Sequence, residues 1–116
     1  MSVEMSDWPG WNAEALDVTM ARDADGTCVI ALRGELDLST APALDAAMQS
    51  LPLDAAKVRL DLSELSFVDS AGLRQLVISH GSCAGTLTFA NLQPHLEQLF
   101  KLTGLEGLFT IERRPD

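Results

Sequence analysis

Apolar and polar residues alternate over Leu16-Asp17-Val18-Thr19-Met20, the two-residue period of a strand with one buried face. Asp23-Ala24-Asp25-Gly26 has the composition of a tight turn, and Thr27 to Arg33 resumes as a second strand, so the pair reads as a β-hairpin. After Gly34-Glu35-Leu36-Asp37-Leu38 the period changes. Thr40, Leu44, Ala47, Met48 and Leu51 recur at helical spacing, with Ser39 or Thr40 as the cap, Pro42 in the first turn and Pro52 as the stop. Lys57 to Leu62 alternates strictly and places Val58, Leu60 and Leu62 on a core face. A second helix is predicted from Asp69-Ser70, with Leu73, Leu76, Val77 and His80 on one stripe and Gly81 as its end. Leu87 and Phe89 mark a fourth strand. Leu92, Leu96, Leu99, Phe100 and Thr103 form a third helical face that stops at Gly104, and Leu108 to Ile111 is a short last strand.

The resulting order, β-β-α-β-α-β-α-β, is that of an α/β domain. Repeated β-α-β units favour parallel strands joined by right-handed crossovers, and the opening hairpin adds an antiparallel strand. The domain is expected over residues 15–111. Residues 1–14 read as a flexible N-terminal arm carrying Trp8 and Trp11, and residues 112–116 as a short charged tail. The arm either docks partly on the domain or offers its Trp side chains to a partner. Leu36-Asp37-Leu38-Ser39 recurs as Leu60-Asp61-Leu62-Ser63, each copy where a strand gives way to a turn. A shared turn role accounts for the repeat.

With 116 residues, 47% of them apolar, the chain can build a single hydrophobic core and does not have the composition of a disordered protein. The 8 basic and 17 acidic residues give a net charge of -9. That balance argues against nucleic acid and anionic membrane surfaces, and suits a partner with a basic face. Met1 to Asp7 has neither the basic residue nor the apolar run of a signal peptide. No apolar stretch approaches the roughly 20 residues that span a bilayer. The expected compartment is the cytoplasm, where Cys28 and Cys83 are reduced and packed rather than bridged.

The candidate chemistry gathers at Asp69-Ser70. A phosphate on a hydroxyl at a helix start meets unpaired backbone N–H groups and the positive end of the helix dipole. Ser70 is therefore a candidate switch residue rather than a catalyst. A Ser-His-Asp hydrolase is disfavoured, because His80 lies ten residues along the same predicted helix, about 15 Å away, and no Gly-x-Ser-x-Gly elbow surrounds Ser70. His95 opens the third helix beside Pro94, and its role is open. Cys28, Cys83, His80 and His95 lack metal-ligand spacing, and neither of the glycine-rich nucleotide-binding fingerprints is present. Asp37, Asp61 and Asp69 follow or end strands, where turn formation and helix capping account for them.

Three segments carry a resemblance to a known family. Gly34 to Ala41, reading Gly-Glu-Leu-Asp-Leu-Ser-Thr-Ala, is similar to the strand exit and first helix start of the bacterial anti-sigma factor antagonists, small STAS-domain proteins. Asp61-Leu62-Ser63 through Phe67-Val68-Asp69-Ser70-Ala71-Gly72-Leu73 resembles their Asp-Ser-Ser/Ala-Gly-Leu signature, and Leu99 to Leu105 with Leu108-Phe109 resembles their terminal helix and strand. Together these span residues 16–111. The resemblance implies a STAS-like fold: a mixed, mostly parallel sheet of four to five strands built from βα units, opened by the hairpin, with three or more helices mainly on one face. It also implies a binding module without enzymatic activity or cofactor. Such proteins bind an anti-sigma Ser kinase of GHKL type and so release a sigma factor. The kinase phosphorylates the residue corresponding to Ser70, and a metal-dependent Ser/Thr phosphatase resets it.

The implied partner surface is Asp37, Ser39 and Thr40 with Asp69, Ser70, Ala71, Gly72, Leu73 and Arg74. By analogy with other α/β folds these loops lie at the C-terminal edge of the parallel strands. Ala71 stands where many members have a second Ser, leaving Ser70 the sole acceptor of the motif. Arg74 stands where a small residue is common; it pairs with an acidic partner group, neutralises the phosphate, or is simply solvated. The chain stops soon after its last strand, where members often add a helix, so one side of the sheet is expected to be less covered. The alternative function is a STAS adaptor subunit of a transporter or stress-sensing assembly, in which Ser70 is only a helix cap.

Overall fold

The computed structural model describes residues 11–13, 15–83 and 85–112. Six strands form one sheet in chain order: β1 (Trp11–Ala13), β2 (Leu16–Arg22), β3 (Cys28–Leu36), β4 (Lys57–Val68), β5 (Thr86–Ala90) and β6 (Thr110–Glu112). β2 is antiparallel to both β1 and β3, and β3 to β6 run parallel. The parallel strands are joined through α1 (Ala41–Gln49), α2 (Ser70–Ser82) and α3 (Pro94–Thr103), the last followed by a 3-10 turn over Leu105–Gly107. The sheet has six strands where four to five are expected, the added one being residues 11–13 of the expected arm, which pair with β2 from Trp11↔Val18 to Ala13↔Leu16. The rest of the arm, including Trp8, and residues 113–116 of the tail lie outside the described residues.

The alternation in the strands is realised as one buried face. Val18, Ile30, Leu60, Leu62 and Phe89 are fully buried and join Leu44 of α1, Leu76 of α2 and Leu96 and Phe100 of α3 in a single cluster. Phe89 meets Phe109 edge-on at a centroid distance of 4.2 Å, and Phe100 meets Phe109 at 5.4 Å. These are favourable aromatic geometries. The three helices thus share one face of the sheet. The opposite face carries Asp17, Thr19, Ala31, Arg59, Asp61 and Thr88, all partly or fully exposed.

β4 is longer than its alternation predicts. Strict alternation ends at Leu62, yet the strand runs on to Val68. Twice along the pairing β4 advances one residue more than β3, between the partners of Ala31 and Arg33 and between those of Gly34 and Glu35. Each bulge resets the facing, so Leu62 and Leu65 both point inward while Ser63 and Glu64 are exposed. Gly34 sits at the second bulge with φ +119, and a methyl group there would collide with the Ala15 carbonyl oxygen. Glycine is required at that position.

β5 pairs with β4 only as far as Asp61. Beyond it the backbone of β4 has no strand on that side, and side chains from the start of α3 take its place. Gln93 Nε2 donates to the carbonyl oxygens of Ser63 at 2.8 Å and Leu65 at 3.2 Å. His95 Nε2 lies 3.1 Å from the Ser66 carbonyl. A carbonyl only accepts, so Nε2 is the donor in this contact. The edge of β4 is thereby held as far as Ser66.

Two helix details differ from expectation. The buried residues of α2 are Gly72, Gln75, Leu76 and Ser79, and Leu73 and Val77 lie at the margin of the core. Gln75 Nε2 donates to Asp45 Oδ1 of α1 at 3.4 Å and to Ser79 Oγ at 3.3 Å. Polar residues with partners fill a helix–helix contact that an apolar stripe does not reveal. Gly81 lies inside the last turn instead of ending α2, which closes at Cys83.

Candidate functional site

β3 and β4 end side by side, with Leu36 opposite Val68. The turn after β3 therefore lies against the start of α2. Asp69 has an extended backbone, and its N–H donates to the Leu36 carbonyl at 3.2 Å. Gly72, one turn later, packs on the same carbonyl: a methyl group at this position would collide with it. The close approach anchors the first turn of α2 to the end of β3.

The capping role falls to Asp69, not Ser70. The Asp69 carboxylate accepts from the Gly72 N–H at 2.8 Å, and its carbonyl accepts the first helical bond from the Leu73 N–H at 2.9 Å. Ser70 is the first residue of α2 and is exposed, and its hydroxyl makes no hydrogen bond among the described residues. The reading of Ser70 as a helix cap is thus corrected. Both residue types cap well, but the length of β4 puts Asp69 at the extended position a cap needs.

The neighbouring turn is built by Asp37. Its Oδ1 accepts from the Ser39 N–H at 3.0 Å, the Ser39 hydroxyl at 2.8 Å and the Thr40 N–H at 3.1 Å. The Ser39 hydroxyl foremost, with the two backbone N–H groups, holds the Asp37 carboxyl below its ordinary value, so it stays anionic. Thr40 occupies the cap position of α1 without capping it. Its hydroxyl is turned inward, donating to the Glu35 carbonyl at 2.9 Å and accepting from the Asp37 N–H at 2.8 Å.

The residues expected at a partner surface therefore separate into two groups. Asp37, Ser39, Asp69, Ser70, Ala71, Leu73 and Arg74 keep some exposure. Thr40 and Gly72 are buried, and they shape the two turns. The sequence reading missed exposed apolar residues on the same side. Leu38 is 77% exposed, Phe67 48% and Ile78 43%. Leu38, Ala41, Ala71, Arg74, Gln75 and Ile78 line a shallow groove of about 150 Å³ between α1 and α2. Leu38 was legible as an apolar residue in a turn between Asp37 and Ser39, a position where burial is not available.

The other chemistry-bearing residues stay apart from this site. His80 packs its ring on Phe109 at 5.4 Å, at the far end of α2. Cys28 is a buried free thiol and Cys83 a partly buried one. Among the described residues no group of three or more His, Cys, Asp or Glu could hold a metal ion, and no helix is long and apolar enough to cross a membrane.

A sequence model of the family described as "Mlab, STAS domain" matches residues 19–111. The anti-sigma-B factor antagonist of Bacillus subtilis (strain 168) is 31% identical over 88 residues, covering 73% of this chain and 81% of that protein. The anti-sigma-B factor antagonist of Listeria monocytogenes is 32% identical over 95 residues, covering 78% and 82%. The crystal structure of an anti-sigma factor antagonist from Mycobacterium paratuberculosis superposes with a TM-score of 0.74 at 27% identity, covering 89% of this chain and 90% of that one. With a helix-bearing mixed sheet and the Asp69-Ser70 motif at the end of β4, the chain belongs to the STAS-domain family of anti-sigma factor antagonists.

Proposed function

We infer that this protein is an anti-sigma factor antagonist that acts in the cytoplasm by binding an anti-sigma factor, and that phosphorylation of Ser70 ends the binding. The names of its relatives support the first part. One observation carries the second: Ser70 is exposed at the head of α2, with its hydroxyl uncommitted and the neighbouring Asp69 doing the capping. A residue with no structural duty at this place is free to be modified.

The partner is a Ser kinase of GHKL type. The Ser70 oxygen attacks the γ-phosphorus of ATP, the bond to the β-phosphate oxygen breaks, ADP leaves and the hydroxyl proton is released. The product adds about -1.5 to -2 charge at pH 7. It does so beside Asp69 and the anionic Asp37, on a chain of net charge -9. Repulsion and desolvation of about 3 kcal/mol at the centre of an interface weaken binding more than a hundredfold. The fold need not change. A metal-dependent Ser/Thr phosphatase restores the binding form. The contact surface comprises Asp37, Leu38, Ser39, Ser70, Ala71 and Arg74.

The test is capture from the cytoplasm of the native host with wild-type, Ser70→Ala and Ser70→Glu proteins as baits. Retention of an ATPase-fold kinase by the first two and its loss with Ser70→Glu is the expected result. Retention of the same transport or scaffold subunits by all three overturns the switch and makes the domain a constitutive adaptor.

A further inference from the structure

α2 contains one residue of full charge, Arg74. It stands four residues after Ser70, so the two occupy the same helix face with Cβ atoms about 5–6 Å apart. Side chains on a helix lean toward its N-terminus, which carries an Arg at the later position back over the earlier one. An anion placed first and a cation four residues later is the favourable order for such a pair.

Among the described residues nothing competes for this guanidinium. Arg74 is exposed and takes part in no ion pair among the described residues. The nearby carboxylates have other duties. Asp69 is bonded to the Gly72 N–H, Asp37 to Ser39 and Thr40, and Asp45 of α1 to the side-chain amides of Gln49 at 2.6 Å and Gln75 at 3.4 Å. In the unmodified protein Arg74 instead forms one wall of the groove with Leu38, Ala41, Ala71, Gln75 and Ile78.

We propose that Arg74 is a two-position residue: a wall of the partner groove when Ser70 is free, and the group that clasps the phosphate once Ser70 is phosphorylated. The inference rests on the reading of Ser70 as the phosphate acceptor. Modification then changes the partner surface twice. It adds negative charge at Ser70, and it draws the one cation of α2 out of the groove.

The experiment uses the full chain with phosphoserine encoded at position 70 during synthesis, so that no kinase is needed. The phosphate is titrated by phosphorus NMR with Arg74 present and in the Arg74→Gln and Arg74→Lys variants. The exposed, unbonded side chain makes these variants safe for folding, which a proton–nitrogen NMR spectrum checks. The second ionisation of the phosphate is expected about 0.3 pH unit lower with Arg74 than with Gln, with Lys in between, and the gap closes in high salt. Equal midpoints for Arg and Gln overturn the clasp. A host that lacks a kinase leaves this titration untouched, and a failed titration leaves the capture experiment untouched, so the two ideas fail separately.

Discussion

A helix start offers several N–H groups without helical partners, and in α2 the Asp69 carboxylate takes one of them, at Gly72. The adjacent Ser70 contributes nothing comparable. Asp69→Ala is therefore expected to lower stability by about 1 kcal/mol, the usual cost of losing a cap. Ser70→Ala is expected to stay within about 0.5 kcal/mol of wild type, as for a surface change with no partner. Urea denaturation of the two variants measures both, and equal losses would return the capping role to Ser70. The sequence could not rank the two residues, since Asp and Ser are comparable caps in isolation. What decides is where β4 ends. Thr40 shows the same limit: the motif brought it to the site, but its hydroxyl spans the Glu35 carbonyl and the Asp37 N–H inside the turn.

Elements were legible where their period was unbroken. The hairpin of β2 and β3, the helical face of α1 and the aromatic side of α3 all followed from spacing. β4 did not, because the Ser63-Glu64 pair interrupts the alternation and the two bulges that explain it are a property of the pairing with β3. β1 escaped notice because three residues are too few to show a period. The far half of β4 depends on contacts from distant sequence. Gln93→Ala removes the donor to the Ser63 and Leu65 carbonyls and is expected to cost about 1 kcal/mol. Amide hydrogen exchange should quicken over residues 63–68 and stay unchanged in α1. Uniform exchange across the sheet would show that the strand end is held by β3 alone.

At the scale of the molecule, one core on one face of the sheet carries the fold. Phe100 is fully buried in it and contacts both Phe89 and Phe109. Phe100→Ala should cost about 3–5 kcal/mol and lower Tm by more than about 10 °C. A thermal melt followed by circular dichroism reads this directly, and a shift of a few degrees would mean that the cluster repacks. The α/β class and the core face were readable from composition and alternation; the contact of the two turns at the end of β3 and β4 was not, since it depends on how the strands are aligned. The sheet has one further consequence. Its spatial order is its chain order, β1 to β6, with no strand inserted between earlier neighbours. The topology thus lets each strand add to an edge formed by its predecessor, and no completed pair has to reopen to admit a later one. Gln93 and His95, which brace the end of β4 below Ser70, come from a segment that follows both β4 and β5 in the chain, so the switch is secured by residues that lie later in the sequence than the strand they hold.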